Sequence, residues 1–255
     1  MKQLDQKTAI VTGAGLGLGR SIALMFAREG ARVLATDFRE DVLDALRKDA
    51  AEQGLKVETM LADMRKPAEI AAMINKPVDM WGRLDILVNN AGIMDHFEPV
   101  ADVSEALWEM VIEVNLNGPF RAMKYALGYM LPRKSGNIIN IASIGGLQGA
   151  RAGAAYTSSK HALIGLTKNT GFMYATSGIR CNAIAPGAMA THITDAIDMQ
   201  HLHPLAAERI FPGTSTNPRT SNPDEVAAGG LFLASDASSF VNGSVLTAVG
   251  GWIAY

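Results

Sequence analysis

The chain of 255 residues contains a single cysteine, Cys181, so an intrachain disulfide is excluded and the cross-linked frameworks of small secreted domains do not apply. A lone thiol is consistent with a reducing compartment and packs at a strand as a small apolar group. Continuous apolar runs long enough to span a bilayer are missing, and the opening Met1-Lys2-Gln3-Leu4-Asp5-Gln6-Lys7 lacks the apolar core of a secretory leader. The expected location is the cytoplasm, with no membrane partner. Neither sign of charge dominates: 23 Lys and Arg face 25 Asp and Glu, a net charge of −2, which makes no electrostatic case for nucleic acid as a partner. Histidine is sparse. His96, His192, His201 and His203 lack the partners of a metal site, and the alternating pair His201 and His203 would splay its rings apart on a helix, so no metal is expected. His96 is instead a candidate polar contact in a pocket. No linker, repeat or low-complexity tract divides the chain.

In place of those features stands a regular alternation of apolar strands and amphipathic helices. Strands are expected near Ala9, Val33, Val57, Ile86, Ile139, Ile184 and Val245. Helices fall near Leu24, Leu43, Ile70, Leu163 and Ala228, with one long helix from about Ser104 to Met130. This order predicts a single α/β domain over residues 1–255, a Rossmann-type doubly wound parallel sheet of about seven strands with helices on both faces.

The first strand, Thr8 to Thr12, runs into Gly13-Ala14-Gly15-Leu16-Gly17-Leu18-Gly19 and then into a helical pattern from Ser21. Strand, glycine loop and helix together predict a dinucleotide site, because the loop backbone can approach a pyrophosphate and the helix start offers free N–H groups. The second strand ends in Asp37, where a carboxylate can accept both ribose hydroxyls of an adenosine. The same charge repels the extra phosphate of NADP, and no Lys or Arg stands at Ala14, Leu16 or Phe38, so NAD is the expected cofactor. Asp37 can also cap the helix that starts near Arg39.

Tyr156 and Lys160 stand four residues apart and therefore share one helical face. The ammonium is expected to pull the phenol down from its ordinary pKa of about 10, which prepares a proton donor. Upstream, Gly136 to Ser143 reads as a buried strand that delivers a serine at its carboxyl end, the edge where functional groups of open parallel sheets collect.

With these residues in place the chain resembles the short-chain dehydrogenase/reductase family over essentially its whole length. Thr12-Gly13-x-x-x-Gly17-x-Gly19 is similar to the family's cofactor loop, Asp63 to its adenine-contacting acid, and Asn89-Asn90-Ala91-Gly92 to its Asn-Asn-Ala-Gly stretch. Asn115, Ser143, Tyr156 and Lys160 fall on the family's catalytic tetrad, and Pro186-Gly187-Ala188-Met189-Ala190-Thr191 on its Pro-Gly-x-x-x-Thr segment. The resemblance thus implies a cofactor site formed by Gly13, Leu16, Gly17, Leu18, Gly19, Asp37, Phe38, Asp63, Met64, Asn90, Ala91, Gly92, Tyr156, Lys160, Pro186, Gly187, Met189 and Thr191. Two positions depart from the pattern: Leu16 replaces a small polar or basic residue, and Val249 stands where an acid is common.

By the same resemblance Ser143 holds the substrate oxygen, Tyr156 exchanges the proton, Lys160 orients the nicotinamide ribose and Asn115 holds a water that links Lys160 to solvent. Candidate pocket residues are Met94, His96, Ser143, Ile144, Leu147, Gln148, Tyr156, Ala188, Met199, Leu202 and Leu205, beneath a small lid at about 189–216. Its apolar side, with Ile193, Ile197 and Phe211, suits a hydrophobic or cyclic ketone or alcohol as the small-molecule substrate. A homotetramer is implied by the resemblance, supported by apolar Leu116, Phe120, Met123, Leu163, Leu166 and Phe172; Trp252 and Tyr255 are then candidates to reach a neighbouring subunit's site. The leading expectation is an NAD-dependent alcohol dehydrogenase or carbonyl reductase. The alternatives are a 3-oxoacyl carrier-protein reductase and a non-catalytic dinucleotide-sensing protein.

Overall fold

The computed structural model describes residues 2–193, 195, 197 and 202–254. Its strands are β1 (Thr8–Thr12), β2 (Arg32–Asp37), β3 (Val57–Leu61), β4 (Ile86–Asn89), β5 (Gly136–Ile141), β6 (Ile179–Pro186) and β7 (Val245–Ala248). They pair in parallel in the order β3-β2-β1-β4-β5-β6-β7. The order reverses between β1 and β4, and at such a switch point the carboxyl ends of the strands open a crevice.

Both faces of the sheet are covered, which is why the interiors of β1 and β4 are continuous apolar runs rather than alternating with polar residues. Ala9 and Val11 of β1 join Ile22 and Phe26 of α1 (Gly17–Arg28) and Val226 of α8 (Pro223–Ala234) in one core layer. Ile10, between them on the strand, points to the opposite layer, where Ile70 and Ile74 of α3 (Pro67–Trp81) meet Met123 and Met130 of α5 (Gly118–Met130). Phe26 is fully buried, and truncating such a side chain to alanine costs about 3–5 kcal/mol. The remaining helix on the second strand's far side, α2 (Glu40–Glu52), buries Val42, Leu43 and Leu46 and shows solvent its charged face.

The long helix expected from Ser104 to Met130 is interrupted. Ser104 caps α4 (Glu105–Ile112) by accepting the Leu107 N–H at 3.2 Å, and a π-helical turn at Glu113–Asn117 separates α4 from α5. The turn diverts the Gly118 N–H to the carbonyl of Glu113, and such wide turns reorient one side chain of a helix. Here the buried residue of the turn is Asn115. The last long helix, α6 (Ala154–Met173), carries Tyr156 and Lys160. Beyond β6 the chain forms α7 (Pro204–Arg209) and a 3-10 turn at Phe211–Thr216 before α8. Among the described residues no helix is long and apolar enough to cross a membrane.

Candidate active site

The glycine loop lies at the switch point, between the ends of β1 and β4. Gly13 has φ +61°, and Gly19 has no room for a side chain: a Cβ there would lie 2.2 Å from the Gly13 carbonyl oxygen and 2.4 Å from Asn90 Nδ2. Helix α1 therefore begins hard against the loop. Its N-cap, Leu16, provides no side-chain acceptor and its first turn has no acid, so the first N–H groups and the positive end of the helix dipole are left for an anion. These features fit the diphosphate of a dinucleotide.

Several residues expected to bind the cofactor also shape this loop. Asn90 Nδ2 donates to the carbonyls of Thr12 and Gly13 at 2.9 and 3.0 Å, while the N–H groups of Asn90 and Ala91 both donate to Thr12 Oγ1 at 3.0 Å. Asp37 Oδ2 accepts the Gly15 N–H at 3.1 Å and its Oδ1 accepts the Arg39 N–H at 3.2 Å, so it holds the loop and turns the chain toward α2. Arg39, the cation next to this corner, donates to both carboxylate oxygens of Asp41. Phe38 is exposed and Met64 buried; Asp63 is gripped by Arg65 through both oxygens, which holds its carboxyl below the usual range. On the other side of the loop, Gly187 donates to the Ala248 carbonyl at 3.0 Å, which anchors the segment after Pro186 to β7. Thr191 from that segment lies over Gly17, whose Cβ would be 3.2 Å from the threonine side chain.

The four expected catalytic groups converge at the carboxyl edge of β4 and β5. Tyr156, Lys160 and Asn115 are buried, and Ser143 is half-buried. Ser143 Oγ accepts the Gly145 N–H at 3.0 Å and shares a hydrogen bond with the Tyr156 hydroxyl. Lys160 Nζ donates to the Ile141 carbonyl at 2.8 Å and lies over the tyrosine ring. Gly92 keeps the adjoining space open: a Cβ on it would be 3.3 Å from Asn115 Oδ1 and 3.4 Å from Lys160 Nζ.

One expectation changes here and a second is narrowed. Burial pushes the Tyr156 phenol up to about 12, aided by the Asp95 charge and opposed by the Ser143 hydrogen bond, so desolvation outweighs the pull expected from Lys160. Burial also brings Lys160 down to about 8. The second concerns Asn115, whose side chain is committed. Its Nδ2 donates to the Ile93 carbonyl at 2.9 Å and to Ser159 Oγ at 3.2 Å, while its Oδ1 accepts the Ile93 N–H at 2.9 Å. Both amide hydrogens are used in fastening the loop after β4 to α6, so a water would be held through the second lone pair of Oδ1.

That loop also bears the apolar wall. Phe97 and Met94 pack with Ile197, Leu202, Ala206, Ile210 and Phe211, and the Phe97 and Phe211 rings are 5.3 Å apart. Ile144 is buried and Ala188 half-buried, whereas His96, Leu147, Ile193 and Leu205 are exposed; Gln148 holds Arg151. Met199 and His201 lie outside the described residues. His203 accepts the Leu205 N–H and faces Asp102 at 3.2 Å, and His192 pairs with Asp195. Trp252 packs within its own chain: Arg151 stacks 4.4 Å from its ring, and its Nε1 donates to the Gly213 carbonyl and Thr216 Oγ1. It therefore fastens the end of the 189–216 segment. Tyr255 lies outside the described residues.

Reading the sequence alone missed Thr12 and Ser159 as organising groups, and above all Asp95, a fully buried carboxylate. The signal for Asp95 was present only as one acid inside the apolar stretch Ile93 to Phe97.

A family model described as Enoyl-(Acyl carrier protein) reductase matches residues 13–253. The chain belongs to the short-chain dehydrogenase/reductase family. It is similar to 3beta-hydroxysteroid dehydrogenase 2 of Eggerthella lenta, 42% identical across 99% of this chain and 96% of that protein. A 3-oxoacyl acyl-carrier-protein reductase of Thermotoga maritima is 37% identical over 98% of this chain and 99% of its own length. Among solved structures, a candidate NAD(P)-dependent gluconate 5-dehydrogenase of Beutenbergia cavernae, with NADP bound at low occupancy, superposes with a TM-score of 0.88 at 38% identity and 99% coverage of both chains. Members of this short-chain dehydrogenase/reductase family are oxidoreductases that bind a nicotinamide dinucleotide and act on small molecules.

Proposed function

We propose that this family member is an NAD-preferring secondary alcohol dehydrogenase or ketone reductase for hydrophobic or cyclic substrates, with Asn115, Ser143, Tyr156 and Lys160 at its centre. The observation that carries this reading is the Ser143–Tyr156–Lys160 cluster, joined through Asp95 to the loop that bears the apolar Met94–Phe97–Phe211 wall. The nicotinamide cofactor, when bound, supplies or accepts the hydride. The first-turn N–H groups of α1, Asp37 and Lys160 would hold it.

Tyr156 is neutral at pH 7, so its hydroxyl holds the proton that a reduced carbonyl oxygen must receive. The Ser143 hydroxyl, held by the Gly145 N–H and bonded to the Tyr156 hydroxyl, would turn its hydrogen to the substrate oxygen. Lys160, anchored by Ile141, retains two N–H bonds for ribose hydroxyls and favours the phenolate left behind. The apolar wall and the 189–216 lid exclude water from the reacting oxygen.

Preference for NAD rests on Asp37 at the adenosine ribose position and on Arg39 being engaged by Asp41. NADP in the Beutenbergia structure is the counter-example. Initial rates with NADH and NADPH against acyclic, cyclic, aryl and 3-oxoacyl ketones test the reading. Fast NADH oxidation with cyclic ketones supports it; an NADPH preference with 3-oxoacyl thioesters would favour the carrier-protein reductase, the reading that the Thermotoga relative supports.

The same proposal extends to a homotetramer. Phe120 and Phe172 are exposed and Leu116 and Leu166 line a shallow groove between α5 and α6, whereas Met123 and Leu163, expected with them, are core residues. A monomeric mass in solution would refute this assembly.

A further inference from the structure

Helix α6 begins with a deficit. Its N-cap is Gly153, which has no side chain to accept the orphan N–H groups of the first turn. Three of the four, those of Gly153, Ala154 and Tyr156, are nonetheless paired, and the partners come from the loop after β4. The Ala154 N–H donates to the Glu98 carbonyl at 2.9 Å. Asp95 takes the others: its Oδ1 accepts the Gly153 N–H at 3.0 Å and its Oδ2 accepts the Tyr156 N–H at 2.8 Å. Oδ1 also accepts the Phe97 N–H at 3.1 Å, across a turn in which Phe97 has φ +61°.

Asp95 is fully buried, with no exposed surface. Gly153 is shaped to receive it, since a Cβ there would lie 2.7 Å from Asp95 Oδ2 and 2.7 Å from the Glu98 nitrogen. A carboxylate placed at the positive end of a helix gains both charge-assisted hydrogen bonds and the dipole. The consequence is geometric as well as energetic. The residue whose N–H it holds is Tyr156 itself, so the position of the phenol relative to Ser143 is tied to the loop that carries Met94 and Phe97.

We propose that Asp95 is the positioning residue for Tyr156, capping α6 from a separate loop and joining the substrate wall to the proton-transferring phenol. This rests on Tyr156 being the proton donor. Among the described groups, Tyr156 is faced by Lys160 from its own helix, Ser143 after β5 and Asp95 after β4. Of these only Asp95 brings a fixed negative charge, which favours the protonated phenol.

Asp95→Asn tests the proposal, with Asp95→Ser as a second variant that keeps an acceptor and removes the charge. NADH binding by fluorescence, measured beside the wild type, establishes that the variant is folded. The expected result is a 10- to 100-fold fall in kcat with the KM for NADH changed less than threefold, and a pH profile for alcohol oxidation moved to lower pH. Wild-type kcat and an unmoved profile in a folded variant would overturn it. If neither variant folds, hydrogen exchange of the wild-type 152–157 segment decides: a protected Tyr156 amide supports the cap, and free exchange refutes it. Tyr156→Phe is measured in parallel. Full activity there removes the underlying reading of Tyr156, whereas an inactive Tyr156→Phe with an unaffected Asp95→Asn removes only the role of Asp95.

Discussion

Lys160 Nζ lies 5.5 Å from the centroid of the Tyr156 ring, and both groups are almost wholly withdrawn from solvent. Burial disfavours the charged form of each, so the phenol rises to about 12 and the ammonium falls to about 8. At neutral pH the tyrosine is therefore a loaded acid. Ketone reduction is expected to be flat near pH 7 and to decline in alkali, whereas alcohol oxidation, which needs the phenolate, climbs steadily from pH 7 to 10. Steady-state rates in both directions across that range check this, and Tyr156→Phe should abolish both.

Lys160 also makes stability depend on pH. Between about 8 and its ordinary value of 10.5 the unfolded chain keeps the lysine proton that the folded chain has released, so unfolding takes up a proton and stability increases as pH rises. Tyr156 acts in the opposite sense, but only between 10.0 and about 12, where the folded chain retains a proton that the unfolded chain has lost. Lys160→Met should be relatively more stable below pH 8, and its advantage should shrink between pH 8 and 10. Thermal unfolding of the cofactor-free protein at pH 7, 8, 9 and 10 measures the difference.

Asp37 gives a third expectation. Asp37→Ser removes the charge that would oppose a 2′-phosphate, while the Arg39 guanidinium stays on Asp41. The ratio of kcat/KM for NADPH to that for NADH should rise by about tenfold or more, equivalent to about 1.4 kcal/mol. An unchanged ratio would mean that Asp37 serves only to hold Gly15.

Gly19→Ala places a methyl group 2.2 Å from the Gly13 carbonyl oxygen and forces helix and loop apart. Overpacking of this kind costs about 1–3 kcal/mol, and here it falls on the loop expected to hold the diphosphate. NADH affinity by titration should drop at least fivefold. Gly128→Ala, within α5 and with nothing within 4 Å of the added Cβ, is the control for a helical glycine that has room.

Trp252→Ala should loosen the 189–216 segment, because the indole bridges Arg151, Gly213 and Thr216. The expected outcome is a several-fold higher KM for the ketone with the NADH affinity unchanged. An equal loss of both would indicate general unfolding at the C-terminus instead.

Local patterns decided much of this protein. The apolar strand runs, the glycine loop against α1 and the spacing of Tyr156 and Lys160 report geometry that a few neighbouring residues impose, so element order and the strand–loop–helix unit at the start of the chain were legible before any packing was known. The interior of the Ser104–Met130 helix was not, because the π turn at Asn115 answers to bonds with Ile93 and Ser159, at separations of 22 and 44 residues. Phe120 and Met123 read alike as apolar helix residues, and only the docking of α5 on the sheet buries one and exposes the other. The direction of the Tyr156 shift followed the same rule, since desolvation is a property of everything packed around a group. Asp95 reaches Tyr156 across 61 residues, and a contact of that range belongs to tertiary structure because no periodicity encodes which loop will meet which helix end.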